Sequence, residues 1–434
     1  TLGDDPRVID DGAVQITGDE ITWVGPQANA PDLDINDTAN TIIDARGGLI
    51  MPGFINTHMH CYSTFACGLA LKDQPPTNFL EILQRLWWRL DKALTLDDVR
   101  LSALVPLTRS LAAGVTTVID HHASPPAVRG NLDTTAAAAR QVGVRACLCY
   151  EVSNRDGAEI AAAGVDENIA FIQSCQSGDD LVRGLFGLHA SMTLDDDLLA
   201  TCVRAARELD TGFHIHVAES HFDPDDSLAR SGKRVVHRLA DAGVLGENTI
   251  CAHCIHVDDS EMTLLRDSDT SVVHNPRSNM NNAVGRADIP KLLDMGIRVG
   301  LGTDGMSASP LDDAQVVNLL HKHGTGDPRV GFAAAGQLLL ANNAKIASRY
   351  FDKPVGALAR GHQADVIVID YHPPTPLTTD NLLGHVLFGL PSARVTDVWV
   401  DGVPRLRDGA LLHADPRAIA VEARARAEEV WRRF

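Results

Sequence analysis

At 434 residues the chain can hold one large domain and a smaller one. It is 44% apolar and 22% charged, the composition of a soluble globular protein, and no apolar stretch is long enough to span a bilayer. Fifty-seven acidic residues against 38 basic ones give a net charge of −19, spread without any lysine–arginine block, which argues against nucleic acid and anionic membranes as partners.

The first 50 residues read as strand and turn: Gly12–Gly18, Glu20–Gly25 and Thr41–Asp44. From about residue 53 to 350 the pattern changes. Short apolar β-like runs alternate with longer amphipathic ones. The runs at 53–58, 115–120, 143–150, 184–189, 212–217, 248–254, 271–274 and 298–302 are candidate strands. Between them lie helical patterns such as Leu96–Ala113, Leu132–Gln141, Asp195–Leu209 and Asp258–Arg266. Eight strand–helix units predict an α/β fold of the (β/α)8 TIM-type barrel class. Residues 364–412 return to strand character, with Ala364–Asp370 and Val395–Gly402. Each end is too short to bury a sheet face alone, so the two ends are expected to pair into a small β-sandwich. The expected domains are 1–52 with 357–414 as the sandwich, 53–356 as the barrel, and 415–434 as a terminal helix.

The eight cysteines (61, 67, 147, 149, 175, 202, 251 and 254) form no compact disulfide framework. Several sit in apolar runs, and strand alternation sends Cys251 and Cys254 to opposite faces. A reducing cytoplasm is the expected location.

In a (β/α)8 barrel the functional groups gather at the carboxyl ends of the strands. His58 and His60 end the first candidate strand, and a strand's period of two points both the same way. Two imidazoles converging there can share one metal ion. His214 and His216 end the fifth strand, His253 the sixth, and Asp304 follows the eighth. Alternation leaves His214 and His216 on one face, so either could be the ligand.

These segments resemble the amidohydrolase superfamily: His58-Met-His60, His216-Val-Ala-Glu219, His253 and Gly302-Thr-Asp-Gly305 match its motifs in order. The His-x-x-Glu spacing is similar to the deaminase and chlorohydrolase branch. Asp120-His-His-Ala-Ser-Pro125, His274–Asn282, Pro374–Asn381 and Leu86–Asp91 resemble the SsnA-type aminohydrolases. The resemblance implies one divalent metal, Zn²⁺ or alternatively Fe²⁺, held by His58, His60, His216 and Asp304. It gives Glu219 the transfer of a proton from water to a ring nitrogen, and His253 the orientation of the nucleophile or polarisation of the substrate. Asp304 doubles as ligand and proton acceptor, and His214 falls behind the ligands. Binuclear members use a carboxylated lysine on a barrel strand. None of the seven lysines here ends a strand, so a mononuclear site is expected. Candidate substrate contacts are His122, Ser191 and Arg277, the last as a clamp for a carboxylate or ring carbonyl.

The expected activity is hydrolytic deamination of an aminated nitrogen heterocycle, purine- or pterin-like, with release of ammonia. The same architecture would serve a chlorohydrolase or N-alkylamine hydrolase acting on a triazine-like ring. A non-catalytic scaffold on the same fold is a third reading, disfavoured by the complete ligand set. A small heterocyclic substrate is the expected partner, and the resemblance also allows a homodimer.

Overall fold

The computed structural model describes residues 1–3, 6–31, 40–176 and 181–434. The fold is α/β, built on parallel sheets. One sheet holds Phe54–Met59, Val115–His122, Arg145–Tyr150 and Val182–Gly184 in that order. The other runs Phe186–Ala190, Phe213–Val217, Ile250–His253, Ser271–His274 and Val299–Leu301, every pair parallel. The run expected at 184–189 is thus split at Leu185, one half in each sheet.

Both seams between the sheets carry backbone hydrogen bonds. Leu185 N donates to Leu148 O, Val152 N to Gly187 O and His189 N to Val152 O. At the other seam Thr303 N and Asp304 N both donate to His58 O at 3.0 Å, and Met59 bridges Asp304 in parallel sense. These strands are nearly all buried, which explains why their sequences are continuous apolar runs rather than alternating ones.

Helices connect the strands, and their ends follow local chemistry. Thr95 with Asp98 and Asp258 with Glu261 form capping boxes at the starts of Leu96–Ala112 and Asp259–Asp267. Gly143, Gly232, Gly243 and Gly326 end four helices in the left-handed conformation that glycine adopts without a Cβ clash.

The chain ends meet in antiparallel structure. Leu49–Pro52 pairs with Val366–Asp370, which continues through Arg394–Val400 and Val403–Arg407 to Ala410–Leu411. The hairpin Gly12–Thr17/Glu20–Pro26 packs Ile21, Val14, Ile16 and Val24 against Val366, Ile50 and Trp399 of that sheet. The strand expected at Thr41–Asp44 is absent, and those residues are irregular. Part of the expected 1–52 unit lies outside the described residues. The terminal helix Pro416–Arg433 packs on Leu96–Ala112, where Arg433 and Arg426 reach the buried Asp98. Its Trp431 Nε1 donates to Phe65 O at 2.8 Å, bracing the turn that follows His60.

No helix among the described residues is long and apolar enough to cross a membrane. All eight cysteines are free, and Cys251 and Cys254 are both buried.

Candidate active site

The carboxyl ends of the parallel strands converge on a cluster of imidazoles. The His58 ring lies 4.8 Å from His60, 5.2 Å from His216 and 5.7 Å from His253, centre to centre. Asp304 joins them through the two hydrogen bonds to His58 O. Gly302 makes that approach feasible: a Cβ there would sit 2.7 Å from His58 O and 2.4 Å from Asn275 Oδ1. Backbone strain gathers at the same place. Ala218, His253 and Asp304 have φ of 48°, 73° and 53°, a region that side chains disfavour and that persists where surrounding structure enforces it.

Hydrogen-bond partners fix the ring nitrogens. His60 Nδ1 lies 2.6 Å from His121 O, and His216 Nδ1 lies 2.8 Å from His189 O. A carbonyl only accepts, so each Nδ1 carries the hydrogen. In the neutral His216 ring Nε2 is then a bare acceptor, and it stands 3.2 Å from His60 Nε2. Asp304 Oδ1 is a further acceptor 3.2 Å from His60 Nε2. His58 Nε2 is buried with no hydrogen-bond partner. Burial pushes the His58 and His216 pKa values well below the usual imidazole range, keeping those rings neutral. Although burial opposes it, Asp304 raises His60 to about 9, so the cluster favours a positive charge among these atoms, which a bound cation would supply in place of the proton. Ligand atoms of His58, His60 and His216, and of His58, His253 and Asp304, lie within 4.8 Å of one another. The donor set, imidazole with one carboxylate, suits a first-row divalent ion.

His214 stands behind this set. Its Nε2 is 2.8 Å from His58 Nδ1, and its Nδ1 is 3.8 Å from Cys149 Sγ. Asp120 Oδ1 accepts from Cys61 N at 2.7 Å and anchors the turn after His60.

Glu219 faces the cluster from the cleft, and the fully buried His253 lies beside it. Asn279 Oδ1 accepts from His253 Nδ1 at 2.8 Å, which aims His253 Nε2 at Glu219 Oε2 (3.5 Å) and Asp304 Oδ2 (3.7 Å). Burial pushes the Glu219 carboxyl up to about 7.

The cleft is open to solvent, and the space between its walls, open solvent included, is about 730 Å³. His60, His216, Glu219 and Asp304 form its floor, and Tyr62, Phe79, Leu83, Trp87, Met192 and Met306 give it an apolar wall. Part of that wall, Leu83–Trp87, is wound as a π-helix, a departure that recurs at functional sites.

Three expected substrate contacts lie outside the cleft lining. His122 is buried with Nε2 3.1 Å from Ser124 Oγ. Ser191 is buried and its Oγ accepts from Arg238 Nη1 at 2.9 Å. Arg277 Nη2 pairs with Asp312 at 3.3 Å.

Glu151 is a lining residue that the sequence reading passed over. It directly follows the third strand, Arg145–Tyr150, and its Oε2 lies 3.2 Å from His121 Nδ1. Although burial opposes it, the neighbouring His189, His121 and Arg155 hold the Glu151 carboxyl down at about 2. Glu151, His121 and His189 form further donor groups that share His60 and His216.

Residues 49–405 match the family described as the amidohydrolase family. The chain belongs to that family. As an amidohydrolase it is a hydrolase acting on carbon–nitrogen bonds. It is 30% identical to the 5′-deoxyadenosine deaminase of Methanosarcina mazei, over 99% of this chain and 96% of that protein. Among solved structures it resembles an adenosine deaminase from Xanthomonas campestris with bound zinc, with a TM-score of 0.83, 22% identity and coverage of 97% of this chain and 94% of that one. A triazine hydrolase from Arthrobacter aurescens superposes with a TM-score of 0.82, 22% identity and coverage of 96% and 95%.

Proposed function

We propose that this amidohydrolase is a metal-dependent hydrolytic deaminase of a purine-like aminated heterocycle. The carrying observation is the meeting of three imidazole nitrogens and Asp304, with Glu219 on the open side and the buried His253 beside it. The name of the 30%-identical relative, a 5′-deoxyadenosine deaminase, supports the substrate class. In this reading the two parallel sheets close into a (β/α)8 barrel over residues 53–356. The antiparallel ends, 1–52 with 357–414, form the flanking sandwich, and 415–434 the closing helix.

His58, His60, His216 and Asp304 are the ligands for one divalent ion, and zinc fits the donor set. Such an ion supplies the Lewis acidity that makes water a nucleophile near neutral pH. Around it the chain's own groups move protons. Glu219 takes a proton from the attacking water and delivers it to the ring nitrogen beside the amino-bearing carbon. His253, held by Asn279, orients the oxygen nucleophile and the carbon it attacks. Asp304 accepts the second water proton and passes it to the amino group, which leaves as ammonia.

The test is ammonia release from a panel of aminopurines and pterins by metal-loaded protein. Chloride release from a chlorotriazine, with no ammonia from any member, would favour the chlorohydrolase reading instead. Metal analysis is expected to find one ion per chain, and two would overturn the mononuclear assignment. His58 Nδ1 must carry a hydrogen if its Nε2 is the ligand atom, so His214 Nε2 must accept it. His214→Leu removes that acceptor and is expected to weaken zinc affinity by roughly 10–100-fold. His214→Gln, which keeps an acceptor, should recover part of it. Unchanged affinity in the leucine variant would exclude the orienting role.

A further inference from the structure

We infer that the cleft selects an uncharged or cationic aminated heterocycle and rejects substrates bearing a phosphate or carboxylate. The inference rests on the deaminase reading for the reaction but on separate observations for the charge. Four carboxylates line the cleft: Glu151, Glu219, Asp223 and Asp304. No lysine or arginine lines it among the described residues. A divalent ion on the floor would bring two positive charges beside these four carboxyl groups.

The surrounding cations are already engaged. Arg155, behind Glu151, contacts Asp91, Glu151 and Asp156 and is itself nearly buried. Arg277, the residue expected to clamp a carboxylate, is drawn toward Asp312 and Asp313. Arg85 donates to Gln74 O at 2.7 Å and pairs with Glu81 at 3.2 Å. Arg230 is held by Asp226 at 2.7 Å and by Ser191 O at 2.8 Å. An anionic substituent entering the cleft would leave water and meet carboxylates without a compensating cation.

The apolar wall points the same way. Phe79, Leu83, Trp87 and Met306 offer a stacking and packing surface with no donor suited to an oxyanion, apart from the Trp87 indole N–H. Glu151 Oε2 is an acceptor without a well-aligned hydrogen-bond partner, although His121 Nδ1 lies 3.2 Å away. A ring N–H or amino group would satisfy it. A carboxylate or phosphate oxygen would repel it.

The experiment uses the zinc-loaded chain at pH 8. Two series are titrated by calorimetry and assayed for ammonia: adenosine with its 5′-amino-5′-deoxy and 5′-monophosphate forms, and pterin with pterin-6-carboxylate. The uncharged member should bind at least about tenfold more tightly than its anionic partner, the scale of one uncompensated like-charge contact in a partly buried site. The 5′-amino form should bind at least as well as adenosine. Met306→Lys, which places a cation at the exposed rim, should narrow the neutral-to-anion ratio by about fivefold or more. Equal or tighter binding of the anionic members overturns the inference. Tighter binding of the neutral members without ammonia from any of them sinks the deaminase reading and leaves the charge rule standing. Binding by no member of either series overturns both.

Discussion

Glu219→Gln is expected to lower ammonia release by roughly 10²–10⁴-fold while the protein keeps its metal and its fold. The substitution keeps the shape of the side chain and an oxygen that can still accept from Asn282 Nδ2, now 3.5 Å from Glu219 Oε1. What it removes is the ability to hold and release a proton. The wild-type carboxyl is suited to that exchange, since burial raises it to about 7, close to neutral pH. Glu219 is not among the ligand groups around His58, so zinc content should stay at the wild-type level. Parallel assays of ammonia and metal separate the two roles. A variant within a few-fold of wild-type turnover removes Glu219 from the chemistry. A variant without metal would make it part of the ion's binding site.

Arg145→Met is expected to cost about 3–5 kcal/mol of stability, the effect of stripping one partner from a buried ion network. Arg145 is fully buried at the start of the third parallel strand. Its guanidinium lies 3.2 Å from Asp365 Oδ2 and 3.0 Å from Asp401 Oδ1, and 5.1 Å from the Phe351 ring centre. Methionine fills much of the volume but leaves Asp365 charged and only 2% exposed. Thermal unfolding followed by circular dichroism measures the loss. Adding Asp365→Leu should restore part of it, because a buried pair replaced as a unit costs far less than one left broken. A single variant as stable as wild type would show that the network contributes nothing to holding the antiparallel sheet on the parallel ones.

The histidine cluster was legible because one rule, polar groups at strand ends, met an apolar run that marked each strand. His58 and His60 alternate onto one face, and His216, His253 and Asp304 each terminate a readable run. The same rule applied to the third run, Arg145–Tyr150, points at Glu151, which nevertheless went unread because an isolated acid has no spacing partner. Cleft residues from connections could not be found this way. Trp87 reaches the cleft through a π-helical turn, and Asp223 through backbone hydrogen bonds from Ala218 and Met192, neither of which has a periodic signature. Arg277 stands outside the cleft lining for a tertiary reason: its partners Asp312 and Asp313 lie 35 and 36 positions along the chain. At Thr41–Asp44 the β-branched residues favoured a strand, but the sheet edge there is taken by Leu49–Pro52 and the segment pairs with no strand among the described residues.

The pairing of Leu49–Pro52 with Val366–Asp370 has a consequence for biosynthesis. Gly53 alone separates this edge from Phe54–Met59, the strand that carries His58 and leads into His60. Those two histidines are made well before neighbours that set their position, from Asp304 to Trp431. A nascent chain therefore cannot complete the ion-binding cluster until Asp304 has been made, and the edge strand beside His58 waits longer still, for Val366–Asp370.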